Sequence, residues 1–416
     1  MSLEKILLSE VNIYKAIYCL DTAIFEKRLL SKKDQKLLEK LNDKYDFKYI
    51  NEKIIPKVQE VIKDIIKNDN LFDVEVYFKL KKFENDKAEK RPIHTTSLIN
   101  QIAMISMLNL LLYDFGYENE SLQYKKSDLL SLIPENFYGN IPSGREEELF
   151  MPWNKMYKEF SAKVNETFYE AYNNNKYLYE VTLDLKNFFP SINPYIVYKF
   201  ILNKVKIIHK RTDYELLKKI IFKLLNFKIT NLEESTIEEY YGMEEIGEDN
   251  SIFYSKGIAQ GLPQSYLFGN ICMIEVAEVF GNIFKGESYY YVDDSYIYTY
   301  ENIDGEIFKE KLKKVNDNIY EFTKKYEEYM EEDKKYINFD YNIYKFNKSL
   351  NFKIEVHEKG KSQFCEIKNP INKGAIYLNS LARQASMGGF DINNSFSDSE
   401  DDIILNKFLT IEKYKE

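Results

Sequence analysis

The sequence predicts an α+β protein with two or three structural units. Its 416 residues leave room for that number at the usual one or two hundred residues per domain. Hydrophobic residues at three- and four-residue steps predict long helices, and two runs rich in aromatic and β-branched residues, 179–185 and 289–300, predict strands. Hydrophobic residues make up 44% of the chain, which excludes wholesale disorder.

Helical periodicity dominates the first 80 residues. Val58, Ile62 and Ile65 follow helical steps, and Pro56 suits a first helical turn. We therefore expect residues 1–80 to form a helical N-terminal extension. A connector rich in basic residues follows it and contains Lys79, Lys81, Lys82, Lys87, Lys90 and Arg91.

Three later segments have distinct patterns. The apolar tract 98–113 contains polar residues and is too short for a membrane span, so we expect a buried helix and no membrane association. Residues 139–152 contain glycine and proline and predict irregular structure. Residues 308–329 follow alternating steps of four and three and predict one amphipathic helix. Residues 393–402 are polar and acidic and predict a linker or loop.

Cysteine and histidine are rare. The three cysteines and three histidines are far apart, which argues against a disulfide framework or a zinc knuckle and favours a reducing, cytoplasmic setting. The N-terminus has no signal-peptide pattern. His94, His209 and His357 have no evident carboxylate or nucleophile partner in the sequence, so we expect structural roles for them.

Three carboxylates lie on the predicted strands. Asp184 ends an apolar run, and Asp293 and Asp294 interrupt a second one. Two such strands side by side would bring the acids together, where charge is unfavourable unless a cation neutralises it. Clustered acids without histidine or cysteine suit Mg²⁺, and two such ions are a recurrent device in phosphoryl chemistry. We expect two Mg²⁺ ions, with Mn²⁺ as a substitute.

An ordered set of motifs surrounds these acids. It comprises Arg91-Pro92-Ile93, a helix with Gln101, Tyr138-Gly139-Asn140, the run 184–192 (DLKNFFPSI), the run 261–265 (GLPQS) and Tyr291-Val292-Asp293-Asp294. The order and spacing over residues 80–385 closely resemble the reverse transcriptases. The run QSYLFGNI makes the chain most similar to the bacterial abortive-infection and defence-associated group.

This resemblance implies a right-hand polymerase fold with an antiparallel sheet and helices. Fingers would cover residues 81–180, and a palm would cover 181–380 with a charged helical insertion at about 195–250. A short or partial helical thumb, or an acidic C-terminal segment, would occupy 381–416, with the thumb entry near 378–386.

The resemblance also implies roles for residues of the run 184–192 and of the Tyr291-Val292-Asp293-Asp294 motif. Asp184 and Asp293 would bridge the metals, with Asp294 beside them and the Leu185 carbonyl completing the shell. Phe189 would be the steric gate that excludes the ribose 2′-hydroxyl. The alternatives are a helix or turn cap for Asp184 and a core aromatic for Phe189.

Four further roles follow from the same resemblance. Gln264 would line the nucleotide pocket, with Gly261 and Pro263 allowing backbone to approach the template or base. Arg91 would grip the triphosphate, which suits a bidentate guanidinium, unless it is a surface arginine. Lys361 would protonate the leaving pyrophosphate, with Lys359 as the second choice and a solvated lysine as the alternative.

The implied activity is a DNA polymerase, either RNA-directed or template-independent, that adds dNTPs in antiphage defence and is primed by a protein or copies a non-coding RNA. The expected partners are dNTPs, nucleic acid, and a second copy of the chain or an accessory defence protein. The alternatives are a catalytically silent polymerase-like scaffold and a retron or group II intron-like enzyme. Ser265-Tyr266 replaces the small residues usual after LPQ, so we expect template handling to differ from the family pattern.

Charge is distributed unevenly along the chain. The net charge is -9, yet residues 195–228 carry nine basic and two acidic side chains, while residues 229–250 carry eight acidic and no basic ones. Residues 341–390 are basic too, with eight basic and three acidic side chains. Two basic stretches that flank the expected site are where a nucleic-acid backbone would lie. We therefore expect a basic channel on an acidic protein body.

Overall fold

The chain folds into helices around small β-sheets, as seen in a computed structural model. The structure describes residues 2–42, 46–84, 87–118, 121–126, 128–145, 147–208, 214–243, 252–333, 341–358 and 361–368. Within these ranges the α+β class is confirmed. The predicted C-terminal unit at 381–416, the loop at 393–402, His209 and Lys359 lie outside the described residues.

Helices and strands are interspersed along the chain. The helices are α1 (Leu3–Leu7), α2 (Glu10–Tyr18), α3 (Leu20–Ala23), α4 (Lys32–Leu41), α5 (Phe47–Tyr49), α6 (Ile55–Lys67), α7 (Leu98–Leu112), α8 (Trp153–Asn174), α9 (Phe188–Ser191), α10 (Pro194–Ile208), α11 (Tyr214–Leu225), α12 (Glu234–Tyr241), α13 (Pro263–Phe284), α14 (Gly305–Asp333) and α15 (Tyr341–Ser349). The strands are β1 (Phe72–Glu84), β2 (Lys87–Thr95), β3 (Tyr113–Glu118), β4 (Ser121–Lys126), β5 (Tyr179–Leu183), β6 (Phe227–Ile229), β7 (Phe253–Tyr254), β8 (Gly286–Tyr291), β9 (Asp294–Thr299) and β10 (Gln363–Glu366).

The first sheet has the order β2-β1-β6-β7 and corrects two predictions. The helical extension ends at Lys67, and the basic connector is the antiparallel hairpin of β1 and β2. Buried Phe72, Val74 and Val76 alternate with exposed residues, which is the period of a strand. The segment predicted as a helical insertion also contributes β6, which pairs in parallel with β1.

The second sheet, called here the central sheet, has the order β10-β5-β9-β8. It contains both of the strand regions predicted from sequence. Strand β5 pairs antiparallel with β9, so that Leu183 lies opposite Ser295. Strands β8 and β9 form a hairpin in which Tyr291 lies opposite Asp294. Val292 of its turn has a φ of 57°, in the left-handed region that residues other than glycine rarely adopt.

The two apolar helices α7 and α13 form the centre of the core. Helix α7 confirms the buried helix predicted at 98–113, and the hydroxyl of Ser97 caps its start by accepting from the Asn100 amide. Helix α14 confirms the amphipathic helix predicted at 308–329. Among the described residues, α13 is by length and composition the one helix that could cross a membrane, but 61% of its apolar window is buried inside the protein. It therefore packs here as a core helix.

Candidate active site

The central sheet brings Asp184 and Asp293 together. Asp184 follows the last residue of β5, and Asp293 lies in the turn between β8 and β9. Because Leu183 pairs with Ser295, the end of β5 lies beside this turn. Burial raises the pKa of the Asp293 carboxyl, and the neighbouring charge of Asp184 raises that pKa further. These two carboxylates therefore share one small region of space.

Asp294 occupies a different environment. It lies opposite Tyr291 in the hairpin. Burial raises the pKa of the Tyr291 phenol, and the neighbouring Tyr157 and the charge of Asp294 raise it further. Tyr157 belongs to α8, and Tyr291 donates a hydrogen bond to the Trp153 carbonyl at 3.4 Å. The charge of the Asp294 carboxylate thus affects groups on the side of the hairpin that faces α8.

The turn that carries Asp293 is held by the segment Tyr138-Gly139-Asn140. The Tyr138 amide donates to the Tyr290 carbonyl at 2.9 Å. A Cβ on Gly139 would lie 2.5 Å from the Val292 nitrogen, so only glycine permits this approach. The sequence motif therefore has a structural role here, which is to set the position of the hairpin turn.

The pairing of Leu185 fixes the direction of its backbone carbonyl. Leu185 pairs with Val356, and the two hydrogen bonds beside this pair run from Lys186 N to Glu355 O at 2.8 Å and from His357 N to Asp184 O at 2.9 Å. Leu185 is therefore in a non-hydrogen-bonded position, and its carbonyl points away from Val356. Strand β9 and its turn lie on that side of β5.

His357 and Lys361 lie beside Asp184. His357 Nε2 is 3.4 Å from Asp184 Oδ1, Lys361 Nζ is 3.9 Å from the same oxygen, and Lys361 Nζ is 3.1 Å from His357 Nε2. Burial lowers the pKa of His357, and the charge of Lys361 lowers it further, so the neutral ring accepts from the ammonium group. The expectation that His357 lacks a carboxylate partner is wrong, because its ring lies beside Asp184. Lys361 lies beside the same carboxylate.

The β1–β2 hairpin supplies positive charge to the site. The charges of Arg91 and Lys81 both lower the pKa of Asp293, against the larger raising effects of burial and Asp184. Arg91 lies on β2 opposite Lys79, and Lys81 pairs with Glu89 at 2.7 Å. Arg91 is thus near the acids, as predicted, and Lys81 is a cation that the sequence did not single out.

Phe189 packs against helix α13 next to the site. Its side chain is 6% exposed, and a Cβ on Gly269 would lie 3.0 Å from the edge of the ring. The Tyr266 ring lies 6.1 Å away in an edge-on arrangement. The Phe189 carbonyl accepts from the Ile258 amide at 2.9 Å. The ring of this residue is therefore held by α13, and its backbone is held by the segment that leads into α13.

The GLPQ segment lies deeper than the resemblance implies. Gln264 is fully buried, and its Nε2 is 3.7 Å from the Met104 sulfur, so in this structure it does not line an open pocket. Gly261 has a φ of 111°, and a Cβ there would lie 2.4 Å from the His94 carbonyl. Pro263 begins α13. The close backbone approach at this segment is thus made to His94 of strand β2, and α13 itself packs against α7.

The residues present fit a hard divalent cation. Among the described residues, no group of three or more acidic, histidine or cysteine side chains forms a ready metal cage. Mg²⁺ does not need one, because it commonly uses one or two carboxylates and takes its other ligands from water and substrate phosphates. Asp184, Asp293 and the outward Leu185 carbonyl match that donor set. A cation would also relieve the repulsion that raises the pKa of Asp293.

Comparisons with protein-family models and with curated proteins give no match to this chain. The motifs of the sequence and the geometry of the site are therefore what indicate a function.

Proposed function

We propose that this chain is a reverse-transcriptase-like nucleotidyltransferase that adds deoxynucleotides with the help of divalent cations. The observation that carries the proposal is the proximity of Asp184 and Asp293, at the end of β5 and in the turn before its neighbour β9, under the positive charge of Arg91 and Lys81. Two carboxylates near a guanidinium suit a metal-bound triphosphate. The order of the sequence motifs independently supports the same chemistry.

Each residue then has a defined task. Asp184, Asp293 and the Leu185 carbonyl hold the cations, and Arg91 binds the triphosphate. A hydroxyl attacks the α-phosphate in line, and the bond to pyrophosphate breaks. Bound Mg²⁺ or Mn²⁺ supplies charge stabilisation for the attacking and leaving oxygens.

Two side chains complete the reaction. Lys361 gives a proton to the leaving pyrophosphate, which is general-acid catalysis by a group already beside Asp184. Phe189 excludes nucleotides that carry a 2′-hydroxyl. In this proposal the neutral His357 acts by holding the ammonium group of Lys361 near the acids.

The finer architecture also belongs to the proposal. The hairpin of β1 and β2 corresponds to polymerase fingers, and the central sheet corresponds to the palm. We propose a cytoplasmic role in antiphage defence, with RNA-templated or protein-primed synthesis and a second copy or an accessory protein as partner. The motif QSYLFGNI supports this assignment over retron and group II intron enzymes.

The test is incorporation of labelled dNTPs by the purified protein with Mg²⁺. Asp293→Ala should lower the rate at least about a hundredfold, because the charge that positions the cation is lost. Asp317→Ala is the matched control, because Asp317 is an exposed carboxylate on α14. Equal incorporation by wild type and Asp293→Ala would contradict the proposal, and no incorporation by wild type under any template condition would favour a silent scaffold.

Protease treatment of the labelled product separates the two priming schemes. Protein-primed synthesis predicts label that migrates with the protein until digestion. Label that never migrates with protein would exclude that scheme and leave synthesis on a nucleic-acid primer. Sequencing the nucleic acid that co-purifies with the protein would identify a template.

A further inference from the structure

The proposed gate residue Phe189 contacts a row of aromatic rings that extends to the N-terminal helical region. Its ring lies 6.1 Å from Tyr266, and Tyr266 lies 4.3 Å from Phe25. Phe150 lies 6.3 Å from Tyr266 and 6.2 Å from Phe25. The four rings form one contact group, called here the gate cluster, in which Tyr266 touches each of the other three.

Tyr266 also lies in the electrostatic field of the site. Burial raises the pKa of its phenol, the charge of Glu26 raises it further, and the charge of Arg91 lowers it. The side chain is therefore near both Phe189 and Arg91, which in the proposed function face the sugar and bind the triphosphate. Tyr266 stands where the resemblance leads one to expect a small residue, so the ring fills space that a small side chain would leave open.

Contacts on both sides of Phe25, at Thr22 and at Glu26, hold its segment in place. The Leu149 amide donates to the Thr22 hydroxyl at 2.8 Å. Glu26 forms an ion pair with Lys79 of the β1–β2 hairpin at 3.2 Å. Phe25 itself is 37% exposed, so it lies at the outer end of the gate cluster. Residues predicted to form a separate helical extension thus reach the wall of the candidate active site.

We infer that Tyr266 and Phe25 are positioning residues that hold the Phe189 ring and thereby set the discrimination between deoxynucleotides and ribonucleotides. The inference rests on the proposed function. A gate rejects a 2′-hydroxyl only if its ring cannot rotate or retreat. The Phe189 ring is held by Gly269 on one side and by Tyr266 on another, and Phe25 in turn closes the far side of Tyr266. Truncating either support opens a space into which the gate can move.

The test compares kcat/KM for a dNTP and the matching NTP in wild type, Tyr266→Ala, Phe25→Ala and Phe25→Leu. Loss of a support should reduce the dNTP preference about tenfold, the scale on which packing contacts set specificity. Phe25→Leu keeps most of the volume and should give a smaller reduction, and it remains informative if a truncation fails to fold. Tyr266→Phe should keep the preference, because it keeps the ring.

Two further variants separate the possible outcomes. Tyr320→Ala removes an exposed aromatic ring on α14 and should leave the preference unchanged. Phe189→Ala should itself admit ribonucleotides. If Phe189→Ala lowers the preference while the Tyr266 and Phe25 variants fold and keep it, the inference is overturned and the proposed function stands. If wild type incorporates no nucleotide, both fail. A general loss of stability would lower both rates equally and would leave the ratio unmoved, which also contradicts the inference.

Discussion

Asn270 links helix α13 to the turn that carries Asp293, and its replacement tests that link. Its Nδ2 donates to the Gly139 carbonyl at 2.6 Å and to the Asn140 carbonyl at 3.1 Å, and the side chain is fully buried. Gly139 in turn lies against Val292 of the turn. Asn270→Ala would therefore loosen the support beneath the carboxylate of Asp293, which is catalytic in the proposed function, without changing that carboxylate itself.

The expected cost follows from the groups left behind. Two hydrogen bonds are lost and two buried carbonyls lose a donor, while removal of Oδ1 relieves an acceptor that has no partner among the described residues. We expect a net loss of about 2–3 kcal/mol in the free energy of unfolding. Displacement of the turn should lower dNTP incorporation about a hundredfold. Urea denaturation and the incorporation assay measure the two effects.

Asn270→Asp sharpens the test through its pH dependence. The new carboxyl would face two carbonyl oxygens in a buried site, so its pKa would be higher in the folded state than in the unfolded state. The variant should therefore be most stable at acid pH and lose stability as pH rises through the folded pKa. Asn318→Ala, an exposed amide on α14, is the control. An Asn270→Ala variant with unchanged urea midpoint and activity would refute the reasoning.

Three other predictions concern the interior and the site. Burial lowers the pKa of His94 to about 4 from an ordinary value of 6.5, so the unfolded chain binds the extra proton between these values. The free energy of unfolding of the wild type should fall by on the order of 3 kcal/mol as pH falls from 6.5 to 4. His94→Gln should make the stability less dependent on pH. Identical urea midpoints of the wild type across this pH range would contradict the prediction. Tyr298→Phe removes the donor to buried Glu180 at 2.7 Å and should cost about 2 kcal/mol in urea denaturation, whereas no loss would show that the carboxylate finds another donor. Lys361→Ala should lower kcat about a hundredfold with a smaller change in KM, and an unchanged kcat would exclude the proton-donor role.

Local patterns allowed much of the fold to be predicted from sequence. Helices α7 and α14 and the strands around Asp184 and Asp293 follow hydrophobic periodicities that depend on neighbouring residues alone. Strand β1 was missed although Phe72, Val74 and Val76 carry the alternating pattern, because helical residues precede them and lysines follow. The alternating pattern was therefore sufficient to predict this strand.

Other features of the site depend on contacts between distant segments. Strand β10 pairs with β5 over a separation of more than 150 residues, and the segment before it brings His357 to Asp184. No local pattern in the sequence encodes that pairing. The burial of Gln264 likewise results from the packing of α13 on α7. It could not be predicted, because a motif indicates the position of a residue in the chain but not the direction of its side chain. The role of Tyr266 depends on Phe25 in the same way.

The most direct test of a shared cation site at Asp184 and Asp293 is the effect of Mg²⁺ on thermal unfolding. Asp293→Asn should raise the midpoint without metal, because it removes the repulsion that raises the pKa of Asp293. Saturating Mg²⁺ at a hundred times Kd should stabilise the wild type by about 2.7 kcal/mol and should have little effect on Asp293→Asn. Asp317→Asn should respond like the wild type. Equal stabilisation of wild type and Asp293→Asn by Mg²⁺ would contradict the account.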